Sequence, residues 1–289
     1  MYEYNKSIKS SVSDEPINTY LLRPLAGLLV QALYKTRATP NQVTIASTIA
    51  GLIAALVYLK GTYLAVVFAG LLVTVKDVLD SADGQLARTK QQYSRMGRFL
   101  DSIGDFVVIV GLFASIGYTL SMRHGNLEYA ILAFLGLAGT TFRVSYHVFY
   151  QASFLHLEQK YQTNRISEEI RREDESGDRS TLQLQVVFQA IYGWQDRLVL
   201  RIDGWCMGRR RGDEFQKEWY SDIVAIRMSG FLGMGTELFL LTVCSLFNRL
   251  ELYLYLNAVL MNGVLLFNLL YRGVLLRRRL SIRNDALEH

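Results

Sequence analysis

The chain has 289 residues, 51% of them hydrophobic, with 31 Lys and Arg against 26 Asp and Glu. Two cysteines are too few for a disulfide framework or a cysteine-rich zinc site, which excludes the small secreted scaffolds. The formal charge of +5 suits a protein held against anionic lipid headgroups and is accounted for by topology, so nucleic-acid binding is set aside.

Met1–Lys9 does not read as a cleavable signal peptide, since no apolar core with a small-residue cleavage site follows. Residues 20–34 are apolar but contain Arg23 and Pro24 and end at Lys35 and Arg37, which predicts an amphipathic helix lying along a membrane interface. Residues 38–59 and 252–271 carry no charge, and each is long enough for a hydrocarbon core that needs about 20 apolar residues. Further apolar runs fill 61–75, 106–122, 129–141 and 228–247, the last interrupted only by Glu237. With their ends extended through adjoining residues, these predict six spans in an all-α integral membrane protein. The expected organisation is an N-terminal tail and interfacial helix (1–37), spans 1–4 (38–155), an insertion (156–221), and spans 5–6 with a basic tail (222–289). Within the insertion, 168–179 alternates charge and reads as a solvated helix end followed by a loop. Residues 181–211 mix Val, Phe, Leu and Trp with Gln, Arg and Asp, and read as an amphipathic element at headgroup level, structural or substrate-gating in role. The terminal Leu287, Glu288 and His289 resemble the remnant of an expression tag.

Lysine and arginine placement predicts orientation. The short connections near Lys60, Arg123 and Arg249 carry one basic residue each. The other side receives the basic N-terminus, Lys90, Arg95, Arg98, the insertion, and Arg277, Arg278 and Arg279. The positive-inside rule puts that side, with both termini, in the cytoplasm of a cell membrane.

Five aspartates stand between 77 and 105, at the ends of two apolar runs. Asp80 and Asp83 are three apart, and Asp101 and Asp105 four apart, so each pair shares a helix face with Cβ atoms about 5–6 Å apart. The short polar connection 89–96 predicts antiparallel neighbouring helices whose acidic faces meet near the cytoplasmic end. Four converging carboxylates repel one another unless cations lie between them, and oxygen-only ligands favour Mg²⁺ or Mn²⁺. Two such ions clamp phosphoryl oxygens in an in-line displacement. Gly84, Ala87 and Gly97 leave room for a ligand against the helix backbone, and Arg88 can neutralise a diphosphate. Asp77, next to Lys76, is expected to pair locally or line the pocket.

Asp80-Ser81-Ala82-Asp83-Gly84-Gln85-Leu86-Ala87-Arg88, followed by Gly97, Asp101 and Asp105, resembles the signature D-x-x-D-G-x-x-A-R…G-x-x-x-D-x-x-x-D of the CDP-alcohol phosphotransferases, with all eight fixed positions filled. The segment from Thr39 to Thr44 is also similar to the one that opens the first span in this family. The resemblance covers the membrane core and hardly touches 156–221. It implies attack of an acceptor hydroxyl on the β-phosphate of a CDP-linked donor, with CMP leaving. It also implies two divalent cations, Mg²⁺ or Mn²⁺, on Asp80, Asp83, Asp101 and Asp105, with Asp105 as general base. Pro40, Asn41, Gln42, Gly84, Ala87, Arg88, Ser94 and Gly97 are then expected around the cytidine diphosphate part.

Arg143 in the fourth span and His147 four residues on are candidates for the acceptor pocket; snorkelling to the interface is the alternative for Arg143. Arg227 and Glu237 serve packing or the pocket, and Asn257, Asn262 and Asn268 are expected to bond between helices. The donor implied is a CDP-linked lipid of the CDP-diacylglycerol type, and the acceptor a small polar alcohol of serine or inositol type. CDP-choline or CDP-ethanolamine with diacylglycerol is the reverse split. Other classes are an intramembrane prenyltransferase, whose aspartate motifs are spaced differently, and an ion transporter, whose sites lie nearer the midplane. A homodimer is expected.

Overall fold

The computed structural model describes residues 13–157, 178–208 and 212–287, the last five of these by backbone alone. The described residues are helical with short turns. A π turn at Asn18–Leu22 runs into α1 (Arg23–Leu33). There follow α2 (Pro40–Tyr58), α3 (Tyr63–Lys90), α4 (Arg95–His124) and α5 (Glu128–Leu157). Beyond the insertion's first part come α6 (Arg179–Met207), α7 (Asp213–Ser221), α8 (Ile223–Gly230) and α9 (Met234–Leu246). The last long helix is α10 (Leu250–Tyr255), α11 (Asn262–Leu270) and α12 (Arg277–Leu287), joined by π turns Leu256–Met261 and Tyr271–Leu276.

Among the described residues, three helices are long and apolar enough to cross a membrane: Pro40–Tyr58, Arg95–His124 and Leu250–Ile282. The pair α8 and α9, bent by 41°, makes a fourth if taken as one broken span. This set is compatible with a multi-pass membrane protein. The two remaining helices expected to span, α3 and α5, have 28 and 30 residues, or more than about 40 Å at 1.5 Å per residue. Length does not limit them. Lys76, Asp77, Asp80 and Asp83 on α3, and Arg143 and His147 on α5, lower their apolar character.

The core is a layer of Ala54, Tyr58, Val66, Val73, Phe113, Ile116, Leu241 and Tyr253, drawn from α2, α3, α4, α9 and α10. α2 lies centrally, packed along both α3 and α4. A Cβ on Gly104 would stand 2.4 Å from Thr48 Oγ1, so glycine there lets α4 approach α2 closely. α3 and α4 meet through side chains at the motif end, Lys76 and Asp80 against Asp101 and Asp105. Their backbones hardly approach each other, because each packs on α2 instead. A gap remains between their acidic faces at the motif end, bridged by side chains. The short connection fixes proximity at one point, and α2 decides the rest.

α1 packs on α3, with Val30 and Ala26 buried against Ala82 and Leu86, while Tyr20 and Leu28 are exposed. Arg23 turns inward and pairs with Asp14 at 2.7 Å. The segment ahead of the helix enters the bundle at the break between α8 and α9. There Glu15 Oε2 accepts from Thr236 N at 3.1 Å, capping α9 from outside its own sequence. Burial, with the nearby Asp14 and Asp77 charges, pushes the Glu15 carboxyl up from 4.5 to about 8. The folded chain therefore holds this proton more tightly than the unfolded chain. Stability from this group is complete below the unfolded value and is lost as pH rises through the folded one. Glu15→Gln keeps the cap without the charge. Its melting temperature is expected to draw ahead of the wild type as pH is raised from about 6 to about 8.5, and a gap independent of pH would contradict the assignment.

The 168–177 part of the charged insertion lies outside the described residues. Asp178, just after it, caps α6 by accepting from Thr181 N at 3.2 Å.

Candidate active site

The signature residues gather at one end of the bundle, where α2 and α4 begin and α3 ends. α2 starts with a capping box: Thr39 Oγ1 accepts from Gln42 N at 3.3 Å, and Gln42 Oε1 accepts from Thr39 N at 2.9 Å. Pro40 follows at the first helical position, where its missing N–H costs nothing. Gln42, expected beside the donor, thus has its side-chain carbonyl engaged in the turn. α3 ends at Gln91 in the left-handed conformation, φ 54°. Ser94 opens α4 by accepting from Gly97 N at 2.9 Å. A Cβ on Gly97 would lie 2.6 Å from Asn41 Oδ1 and 2.8 Å from Ser94 Oγ. Asn41, Ser94 and Gly97 are therefore brought together, and glycine is what lets the two helix starts touch. Gly84 lies under the guanidinium of Arg88, one turn on in α3; Ala87 is half-buried beside it.

Carboxylate oxygens of Asp80, Asp101 and Asp105 lie within 4.8 Å of one another. The side chains of Asp80 and Asp105 are 25% and 19% exposed, so the group is reached from the gap between α3 and α4. Asp83, the fourth signature carboxylate, stands outside this group. It is buried and accepts a hydrogen bond from Thr44 Oγ1 on α2. Lys76 is the residue that sequence reasoning missed. Its buried ammonium donates to Asp105 Oδ1 and stands 3.4 Å from Asp80 Oδ1. The signal was available, because Lys76 and Asp80 are four apart and share a helix face. Lys76 also acts electrostatically on its chain neighbour Asp77. Asp77 is buried, and its charge acts on Glu15 as well.

Three carboxyl groups share the single Lys76 ammonium here, so a bound cation would relieve their mutual repulsion. Asp101 Oδ1 is buried and has no hydrogen-bond partner among the described residues. An unsatisfied buried carboxylate oxygen is costly, and a hard divalent cation is the partner that an all-oxygen set of this charge fits. The residues present fit such an ion.

Arg143 is buried and faces the bundle interior rather than the interface. Its Nη2 lies 3.1 Å from Glu237 Oε2 on α9 and donates to Thr140 Oγ1 at 3.0 Å. Its Nη1 donates to Asn262 Oδ1 at 2.6 Å and to Asn257 O at 3.3 Å. Glu237 also accepts from Tyr253 OH at 2.7 Å. These partners lie on α5 itself and on α9 to α11, not on α3 or α4. His147 is buried with Nδ1 3.4 Å from Ser229 Oγ. The three asparagines bond between helices as expected: Asn257 to Thr140, Asn262 to Arg143, and Asn268 to Ala225 O and Tyr146 OH.

A helical bundle with clustered carboxylates and an arginine laid over glycine at one end can hold a divalent cation beside an anionic ligand. Residues 37–166 match the family model for CDP-alcohol phosphatidyltransferase. The matched residues take in α2 to α5 and the whole aspartate motif. It is similar to a "Bifunctional IPC transferase and DIPP synthase" of Thermococcus kodakarensis, 34% identical over 107 residues, covering 37% of this chain and 24% of that protein. Proteins of the same description from Aquifex aeolicus and Archaeoglobus fulgidus are 28% and 30% identical, over 22% and 19% of their lengths. The matched stretch thus spans a quarter or less of each relative.

Proposed function

We propose that this chain transfers a phosphatidyl group from a CDP-linked lipid donor of the CDP-diacylglycerol type to the hydroxyl of a small polar acceptor, releasing CMP. The observation that carries the reading is the convergence of Asp80, Asp101 and Asp105, with one buried Asp101 oxygen left unbonded, beside the Gly84–Arg88 cradle. Asp80, Asp101 and Asp105 would hold one divalent cation, with Asp83 the fourth carboxylate available to a second. Mg²⁺ or Mn²⁺ there would offset charge developing on the phosphoryl oxygens. Arg88 receives the donor diphosphate over Gly84, and the Pro40–Gln42 turn with Ser94 and Gly97 forms the adjoining wall. Asp105 accepts the proton of the acceptor hydroxyl as its oxygen bonds to the β-phosphorus, and the bond from that phosphorus to the CMP oxygen breaks. Lys76 donates to Asp105 and holds its carboxyl group beside Asp80.

The setting proposed is six spans in the cell membrane, with the motif and both termini cytoplasmic and two copies forming a homodimer. α3 and α5 supply two of the six, and the charges that dilute their apolar character sit at the site or in buried pairs. An acceptor screen tests the reading. Radiolabelled CDP-diacylglycerol is offered with serine, inositol, inositol phosphate or glycerol 3-phosphate, beside a parallel reaction of CDP-choline with diacylglycerol. Lipid product and CMP with one of the first four supports the reading. Product only in the parallel reaction supports the reverse split. CMP release with none of them overturns the substrate assignment.

A further inference from the structure

The insertion helix α6 takes an unusual path. Phe188 packs on Phe99 of α4 with ring centroids 5.2 Å apart, and Tyr192 OH donates to Ser102 O at 2.7 Å. Three residues on, Gln195 Oε1 accepts from Ser145 Oγ of α5 at 2.8 Å. Asp203 then accepts from Tyr150 OH of α5 at 2.6 Å and from Trp219 Nε1 and Tyr220 OH of α7 at 2.8 and 2.7 Å. Cys206 finally lies against Gly273 of the last long helix. From Phe188 to Cys206 the helix rises roughly 27 Å and touches α4, α5 and the last helix in turn. A helix parallel to the spans would stay with its first neighbours. α6 instead crosses them, and it does so at the motif end, since Phe99 and Ser102 flank Asp101.

Among the described residues, the opposite face of α6 has no neighbour in the bundle. Val187, Trp194, Leu198 and Trp205 are exposed there at helical spacing, Trp194 by 51% and Trp205 by 81%. Arg197 and Arg201 stand on the same stripe, also exposed. The acidic residues of α6, Asp196 and Asp203, are both buried, so the outward charge is cationic only. Tryptophan and arginine together, on a helix lying across the ends of apolar spans, match the headgroup layer: indole rings at the boundary, guanidinium groups on phosphates.

We propose that α6 is a strap seated in the anionic headgroup layer, its Trp194–Trp205 face on lipid and its buried face bracing the α4 segment that carries Asp101 and Asp105. The occupant of the exposed face is a bilayer leaflet bearing anionic lipid, favoured over a soluble protein by the one-signed charge of the stripe. This rests on the membrane reading of the bundle and not on the transfer reaction.

The chain's 3 tryptophans make the test direct. Trp194 and Trp205 lie on the stripe, and Trp219 is 0% exposed and bonded to Asp203. The full chain is reconstituted into vesicles of phosphatidylcholine and phosphatidylglycerol, with or without brominated acyl chains, and its emission is followed. Brominated lipid is expected to remove most of the Trp194 and Trp205 emission, whereas aqueous iodide leaves it. In Trp194→Phe/Trp205→Phe the remaining Trp219 emission is expected to respond to neither quencher. Arg197→Gln/Arg201→Gln is expected to shift the pair toward iodide quenching. A chain that floats with the vesicles but whose stripe is quenched by iodide and not by brominated lipid overturns the strap, and points to water or a soluble partner on that face. A chain that fails to float overturns the membrane reading and the strap together. Neither result bears on CMP release, so the transfer reading is judged separately.

Discussion

Asp105→Asn is expected to lower CMP release from a CDP-linked substrate by about 10³-fold or more while leaving the chain folded. The substitution keeps size and shape but cannot take up a proton at neutral pH, and loss of a positioned general base costs about 10²- to 10⁴-fold. It also removes one of the three carboxylates that share the cation seat, which adds to the loss. The fold has reason to survive. Lys76 keeps Asp80 within 3.4 Å, and the asparagine oxygen still accepts from the ammonium. Purified protein in detergent is assayed for CMP with Mg²⁺ or Mn²⁺, beside its melting curve. Asp83→Asn is the informative companion, since Asp83 is engaged by Thr44 away from the three-carboxylate group. Its loss is expected to be smaller unless Asp83 leaves Thr44 during turnover. Wild-type turnover in Asp105→Asn would remove Asp105 from the mechanism.

The acidic pairs were legible because helical spacing alone puts Asp80 with Asp83 and Asp101 with Asp105. What spacing cannot say is how neighbouring helices rotate those faces. α2 stands between α3 and α4, and Thr44 on α2 draws Asp83 aside while Asp80 stays in the gap. The same limit applies to the span count. The apolar runs 61–75 and 129–141 are visible in sequence, but averaged over the whole of α3 and α5 they are diluted by the charges those helices carry further on. The bend between α8 and α9 was illegible for another reason: its cap, Glu15, comes from more than two hundred residues away. α6 was readable as an amphipathic element from its mixed composition, but not as a crossing helix, because its order of partners is tertiary information.

Arg143 is where the sequence reading and the structure lead to different expected results. From sequence, an arginine in a span is a candidate for an anionic acceptor, and Arg143→Ala would raise the acceptor KM more than the donor KM. In the structure its guanidinium is bonded to Glu237, Thr140, Asn257 and Asn262, all within the bundle. Removing one member of a buried ion pair strands the other charge, at a cost of about 3–5 kcal/mol, whereas replacing both by apolar groups is often neutral. Arg143→Met and Glu237→Met are therefore each expected to unfold at markedly lower denaturant concentration than the wild type. Arg143→Met/Glu237→Met is expected to regain most of the loss, with a non-additive term well above 1 kcal/mol in the double-mutant cycle. Tyr253 and Asn257 lose Glu237 as an acceptor in that variant, so the recovery is expected to be incomplete. The same double variant decides the catalytic question without a folding confound. If its acceptor KM matches the wild type, Arg143 belongs to the scaffold that joins α5 to α9 and α11. If it folds with wild-type stability and its acceptor KM rises while the donor KM does not, Arg143 leaves Glu237 to meet the acceptor during turnover.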